Sequence, residues 1–403
     1  MATKQGLTAT TPRRDLLDGI QMVGKAVSTR TTLPILTHVL IRKDAETGKI
    51  SMTGTDLNMW IEHTLPTYQD SIGGLSSGGS ATAPARNLTE LLSALPESTV
   101  ELMAEGGSGF SGAPSYALHL RCSKANYKLL GLSPEEFPPV PTLNGDTTFK
   151  VKRADLRDAV KQTLFAVSAD ESRPILTGVL LSYSAGILRA VATDTHRLAV
   201  RELATFEGDG PDIHGVAPAS AMTEILRMAA GDEGFVTVTL SDNQIQFRVD
   251  DEKTGAGTTL ITRLIEGQFP SYERVVPQSY DKRLTIERDA LLSAVRRAAI
   301  VAREGSANRV ILRTVHDDGD GDRLVITAQS GNLGDALEEI EIARDPEEPE
   351  VEIAFNAKYL IDVLSVLDGA GLYLELTESL RPGVVRPTES GDYFCVLMPM
   401  QVV

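Results

Sequence analysis

Three residues in one short stretch, VATDTHRLAV at 191–200, have side chains that could do chemistry together: Asp194, His196 and Arg197. An acid, an imidazole and a guanidinium at this spacing can be read as a hydrolytic cluster. That chemistry also needs a nucleophile, and the one G-x-S-x-G match, GLSSG at 74–78, falls in a Gly/Ser stretch that reads as a surface loop and not as a strand-to-helix elbow. An acidic run, HDDGDGD at 316–322, invites a reading as a calcium loop. Begun at Asp318, the EF-hand pattern requires Gly at 323 and Glu at 329, where Arg323 and Gln329 stand. A hairpin turn accounts for the run. The only cysteines, Cys122 and Cys395, are too few for a disulfide framework or a zinc site and fit a reducing cytoplasm. No catalytic residue, cofactor or metal is expected.

The elements that position these residues recur along the chain. MTGTDLNMWIEHTL (52–65) matches AVATDTHRLAVREL (190–203), Thr-Asp on Thr-Asp. The sibling Asp56 has no histidine after it, so the aspartate reads as architecture. AVSTRTTLPILTHVLI (26–41) recurs as AVSADESRPILTGVLL (166–181), with weaker third copies at 300–315 and 325–340. Three short helices share apolar offsets of 0, 3, 4 and 7: Leu88, Leu91, Leu92, Leu95; Met222, Ile225, Leu226, Ala229; and Leu360, Val363, Leu364, Leu367. A longer helix leads each repeat, with stripes Leu16–Ile20–Val23–Val27, Leu156–Val160–Leu164–Val167 and Leu291–Val295–Ala298. Alternating runs such as GFVTVTLSDNQIQFRV read as strands. The connections are too short for parallel crossovers, so the class is α+β with antiparallel sheets.

With 403 residues the chain exceeds one ordinary core. Proline clusters at GLSPEEFPPVPTLNGD (131–146) and EGQFPSYERVVPQSYDK (266–282) divide it into domains at 1–145, 146–280 and 281–403. The Gly/Ser stretches at 71–80 and 105–115 read as surface loops, and RDPEEPEVE (344–352) as an acidic connector. The N-terminus has no apolar leader, and no run reaches the ~18 apolar residues of a membrane helix.

The net charge is −16, which at first argues against a nucleic-acid partner. The charge is segregated, however. The leading-helix segments 11–30, 150–173 and 282–303 together hold sixteen Lys/Arg and eight Asp/Glu, net +8, which leaves −24 on the rest. Basic helices on an acidic body suggest one surface that faces a polyanion.

The sequence resembles the bacterial β sliding clamp family, the processivity subunits of the replicative DNA polymerase. RTTLPIL (30–36), TGTDLNM (53–59), ATDTHRLAV (192–200), EGQFPSYERVVP (266–277) and VLMPMQV (396–402) carry the likeness, in family order along the whole chain. The resemblance implies three tandem clamp domains with antiparallel sheets outside and helices lining a central channel. Two copies would close head to tail as a homodimeric ring around duplex DNA, held without sequence readout. Arg30 and Arg86 match the family's DNA-contacting arginines; Arg173 and, on the third basic helix, Arg297 join them as candidates. Pro174 and Ile175 align with a pair often aromatic in relatives. At the ring joint, Tyr127 should face Ile300 and Val301 of the second copy.

The resemblance also implies a partner-peptide groove between domains 2 and 3. It comprises Leu176, Thr193, Thr195, His196, Arg197 and Leu198; then Pro270, Arg274 and Val275; then Val396, Leu397, Met398, Pro399 and Met400. Expected occupants are segments of the DNA polymerase III alpha subunit, the clamp loader, other polymerases, ligase and mismatch-repair proteins. The family's usual glycine is Thr195 here, and its basic-then-Leu ending is Gln401-Val402-Val403. Two rival readings stay open: an enzyme built on Asp194 and His196, and a repeat scaffold that binds peptides without encircling DNA.

Overall fold

Side-chain alternation dictates the strands. In Phe235–Leu240 and Gln244–Asp251, Val236, Val238, Leu240, Ile245, Phe247 and Val249 are buried on one face. The intervening SDN turn closes with the Ser241 N–H donating to the Gln244 carbonyl at 3.0 Å. The computed structural model describes residues 7–67, 78–108, 114–143, 147–303, 308–317, 321–345 and 348–402. Residues 71–77 and 109–113 of the glycine-rich stretches, the centre of 316–322 and part of the 344–352 connector lie outside these residues; 79–80, 105–108 and 114–115, expected as loop, lie instead in paired strands. The described strands flanking 318–320 pair as a hairpin, His316 opposite Asp322.

The chain forms two compact bodies. The first comprises Met1–Arg153, Glu207–Pro211 and Arg227–Leu264. Its larger sheet has nine strands, in the order Phe206–Asp209, Thr147–Lys152, Phe235–Leu240, Gln244–Asp251, Ala256–Arg263, Met59–Thr64, Ile50–Thr55, His38–Lys43 and Gly79–Pro84. A four-stranded sheet runs Thr8–Pro12, Thr99–Ser108, Pro114–Cys122, Ala125–Gly131. Helix α1 (Arg13–Val23) packs against α2 (Ala85–Ala94) and the strands Ile50–Thr55 and Met59–Thr64. The approach is close: a Cβ on Gly54 would lie 2.4 Å from the Val23 carbonyl oxygen.

The second body comprises Ala154–Phe206, Asp212–Leu226 and Ile265–Val403. Its twelve strands run Ile213–Pro218, Gly178–Ser184, Ile187–Thr193, Arg197–Ala204, Tyr393–Leu397, Gly383–Pro387, Gly371–Leu376, Lys282–Glu287, Gly334–Ala343, Gly321–Ser330, Arg309–Asp317 and Glu352–Asn356. The remaining α-helices among the described residues are α3 (Arg153–Leu164), α4 (Ala219–Met228), α5 (Arg288–Arg303) and α6 (Ala357–Val366). Helix α5 packs on α6 and on the strands Gly321–Ser330 and Gly334–Ala343, and its Ala294, Ala298, Ala299 and Ala302 are all buried.

Both sheets use the same junction. The strand after each Thr-Asp turn pairs antiparallel with a strand from the next repeat: Trp60 opposite Ile261, and Leu198 opposite Val396. The middle repeat therefore divides its strands between the two sheets.

The helix stripes need correction. α1 ends at Val23 and α3 at Leu164, so Val27 and Val167 lie beyond them, and Leu164 is only half-buried. The α3 core face is Leu156, Ala159, Val160 and Thr163. In both copies the Ala-Val-Ser segment tightens into i→i+3 bonds: Ala26 to Val23 and Val27 to Gly24, Ala166 to Thr163 and Val167 to Leu164. Ser28 and Ser168 then donate to the Leu36 and Leu176 carbonyls, which turns the chain into the Pro-Ile-Leu segment.

Candidate functional site

Side-chain bonds to backbone build the Thr-Asp hairpin. Asp194 Oδ1 accepts from the N–H groups of His196 at 2.9 Å and Arg197 at 3.0 Å. Thr193 Oγ1 accepts from the Thr195 N–H at 3.1 Å and donates to the Arg197 carbonyl at 2.7 Å. Asp56 accepts in the same way from Asn58 at 2.9 Å and Met59 at 2.8 Å, and Thr55 Oγ1 accepts from the Leu57 N–H. Each turn carries a left-handed residue at the same place, Thr195 at φ 77° and Leu57 at φ 75°. That conformation strains a side chain bearing a Cβ, most of all a β-branched one. In the third copy Ser330 Oγ accepts from Asn332 and Leu333 at 3.3 Å, a weaker form of the same device.

The apparent cluster at 194–197 does not assemble as acid and base. His196 is exposed and stacks on Tyr359, with ring centroids 6.1 Å apart and planes at 21°. The second Asp194 oxygen accepts from Arg197 Nε at 3.1 Å. Arg197 is only 6 % exposed. Its guanidinium also donates to Asp362 at 2.5 Å and to the Phe165 carbonyl, and lies over the rings of Tyr359 (4.6 Å) and Phe165 (5.1 Å). Two carboxylates, a carbonyl and two rings fix it as a structural strut, a role for which the planar fork of arginine is suited.

The hairpin is tied to the C-terminal strand. Arg197 lies opposite Leu397 in the ladder, and the Met398 N–H donates to the His196 carbonyl at 2.9 Å. The Met400 N–H donates to the Ala354 carbonyl at 2.7 Å, which anchors the chain beyond the strand. Beneath this junction Leu180, Val191, Leu198, Val200, Val216, Tyr272, Val384 and Val396 form one apolar cluster. Ile175, Ile265, Phe269, Val276 and Phe394 pack on it, half-buried. Leu176, Thr193 and Leu397 are also buried; Met398, Pro399 and Met400 are half-buried. Thr195, His196, Pro270, Arg274 and Val275 are exposed. The last three lie on or beside the turn Tyr272–Val275, which Phe269, Tyr272 and Val276 hold to the cluster. Phe269 meets Tyr272 edge-on at 6.4 Å.

The hairpin, the Phe-Pro block and the C-terminal strand thus converge on one half-buried apolar patch with a polar rim. It offers no activated nucleophile; it suits an extended segment with apolar anchors. Sequence reasoning missed Tyr359, Asp362, Phe165, Val384 and Phe394. Ile175, which aligns with a residue often aromatic in relatives, packs on this cluster.

The candidate phosphate contacts differ in freedom. Arg30, Arg86 and Arg173 are exposed. Arg86 meets Glu90 at 2.9 Å and Arg173 meets Asp170 at 3.5 Å; Arg30 has no ion pair among the described residues. Arg297 grips Glu338 with two bonds, at 2.8 and 2.6 Å, which holds the Glu338 carboxyl below its usual range. Tyr127 and Ile300 are exposed apolar groups, at 39 % and 62 %, and Val301 is half-buried. Among the described residues no His, Cys, Asp and Glu group is placed to hold a metal ion, and no helix is long and apolar enough to cross a membrane.

Three family profiles match in succession: the N-terminal domain of the DNA polymerase III beta subunit over residues 7–141, its central domain over 150–271 and its C-terminal domain over 273–401. The chain is similar to the beta sliding clamp of Staphylococcus aureus, 31 % identical over 379 residues, 94 % of each chain. Among solved structures it is similar to the DNA polymerase sliding clamp of Bacillus subtilis, with TM-score 0.86, 29 % identity and coverage of 99 % and 100 % of the two chains. The DNA polymerase III subunit beta of Pseudomonas aeruginosa is similar at TM-score 0.85 and 27 % identity, with 98 % and 100 % covered.

Proposed function

The chain belongs to the DNA polymerase III beta-subunit family, the beta sliding clamps, and on that premise we propose how its own residues act. It is a non-catalytic processivity factor for DNA replication. It encircles duplex DNA and tethers replication and repair proteins through the groove between Thr193–Leu198, Pro270–Val275 and Val396–Met400. Its three domains span 1–145, 146–280 and 281–403, and it works in the cytoplasm. The occupants are segments of the polymerase III alpha subunit, the clamp loader, other polymerases, ligase and mismatch-repair proteins. One observation carries this reading: the hydrogen-bonded junction of the Thr-Asp hairpin with the C-terminal strand, over half-buried apolar side chains. Met398 and Met400 give such a slot the adaptability that varied partners need.

Arg30, Arg86 and Arg173 attract phosphate. Arg297 contributes least, because Glu338 offsets its charge. Diffuse attraction of this kind, screened over ~8 Å, holds DNA without pinning it. The ring is a head-to-tail homodimer in which Tyr127 faces the partner's Ile300 and the partner's Val301. Two open strand edges support that joint. Ala125–Gly131 pairs on one side only among the described residues and carries Lys128, with Lys124 just before it. Gly334–Ala343 is bonded on its second side only at Ile342 and Ala343. Open edges of this kind present unpaired backbone groups, which favours pairing between copies.

The groove is tested by fluorescence anisotropy. A labelled clamp-binding peptide from the same organism's replicative polymerase is titrated with the wild type and with a Met398→Ala, Met400→Ala double variant. Saturable binding that the double variant loses is expected. Equal binding to both proteins would overturn the groove assignment.

A further inference from the structure

Beside the groove lies a cavity of about 250 Å³, between the segment Pro277–Tyr280 and the strands that carry Arg283, Glu375 and Arg386. Glu375 lines it and is buried. Arg283 donates to Glu375 Oε1 through Nε at 3.2 Å and Nη2 at 2.6 Å. Arg386 donates to Oε2 through Nε at 3.0 Å. Two guanidiniums thus share one carboxylate, and the lining keeps a net charge of +1. Both Nη groups of Arg386 and the Nη1 of Arg283 have no acceptor among the described residues.

These donors are already held in place. The Arg283 guanidinium lies over Tyr280 at 4.2 Å and Tyr373 at 4.6 Å, and Arg386 lies over Phe394 at 4.6 Å. A planar fork fixed on rings loses little side-chain entropy when an anion arrives. The cavity also joins the groove. Val384 lines it and belongs to the apolar cluster, and Phe394 beneath Arg386 packs on that same cluster.

We propose that this cavity is a carboxylate-accepting subsite that continues the groove and favours partners whose docking segment carries an Asp or Glu beside its apolar anchors. The inference rests on the groove reading. A carboxylate fits better than a phosphate dianion, because the residual charge is only +1 and the Glu375 carboxylate in the lining repels a second negative charge.

The test uses two short fluorescein-labelled peptides with amidated C-termini. Both carry a Leu-Phe anchor, flanked on each side by glutamate in one and by glutamine in the other. The wild type, Arg386→Gln and Arg386→Lys are titrated with each at low ionic strength, and circular dichroism confirms the fold. The wild type should bind the glutamate peptide about five- to tenfold tighter, with the ratio shrinking as salt is added. Arg386→Gln should bring the ratio to about one without weakening the glutamine peptide, and Arg386→Lys should keep part of the preference. Equal affinities in the wild type, or a preference that survives in Arg386→Gln, would overturn the subsite alone. If neither peptide binds the wild type, the groove reading falls, and this inference falls with it.

Discussion

The repeated Thr-Asp turn supplies an internal control for what Asp194 does. Asparagine at 194 or at 56 keeps the Oδ1 acceptor for the two backbone N–H groups but removes the charge. Among the described residues those two bonds are the only ones that the Asp56 carboxylate accepts, so Asp56→Asn should cost about 0.5–1 kcal/mol. At Asp194 the same loss applies, and the bond to Arg197 Nε at 3.1 Å goes as well. Arg197 keeps Asp362 and the Phe165 carbonyl, so it is not left bare. The added penalty is then about 1–2 kcal/mol, below the ~3–5 kcal/mol of a fully orphaned buried charge. Asp194→Asn should therefore be less stable than Asp56→Asn by about 1–2 kcal/mol, a factor of roughly 5–30 in the folding equilibrium. Urea unfolding followed by circular dichroism measures both variants, compared at equal slope against denaturant. Equal losses within ~0.3 kcal/mol would refute the claim that this charge holds the Arg197 strut.

His196→Ala should leave stability within about 0.5 kcal/mol of wild type, because the ring is exposed, while weakening the groove's hold on peptide. Arg86→Ala should shorten the protein's dwell on DNA more than Arg297→Ala, read by salt-dependent retention on a labelled duplex. Burial lowers the His63 and His38 imidazoles below their ordinary value, so both favour the neutral form when folded. Their stabilisation is complete above the unfolded value of about 6.5 and is lost as pH falls below it. Unfolding followed at Trp60, the sole tryptophan, should thus shift to lower temperature on acidification, and less so in His63→Gln. Burial pushes the Cys395 thiol up to about 12, so a thiol reagent should modify it only as the protein unfolds.

Much of this was readable from residue order alone, because the repeats encode their own turns. The Thr-Asp pairs at 55–56 and 193–194 announced two equivalent hairpins, and the histidine's absence from one exposed the aspartate as architecture. The helices were legible from apolar spacing, but their ends were not. Val27 and Val167 continue the stripe on paper, while i→i+3 bonds have already turned the chain away. The partners of Arg197 were invisible for another reason. Phe165 lies 32 residues away and Asp362 lies 165 away, and no local pattern links them. Arg297 looked like one more free basic residue until folding set it on Glu338, 41 residues on. The division of the middle repeat between two sheets follows from long-range pairing that alternation cannot specify.

The central claim is that the protein holds DNA by encircling it. The most direct measurement loads it, with the same organism's clamp loader, onto labelled circular duplex DNA. Retention is then followed at high salt before and after a single cut makes the circle linear. The account predicts stable retention on the circle and rapid loss from the free ends after cutting. Equal retention on circular and linear DNA, or loss from both as salt rises, would contradict it.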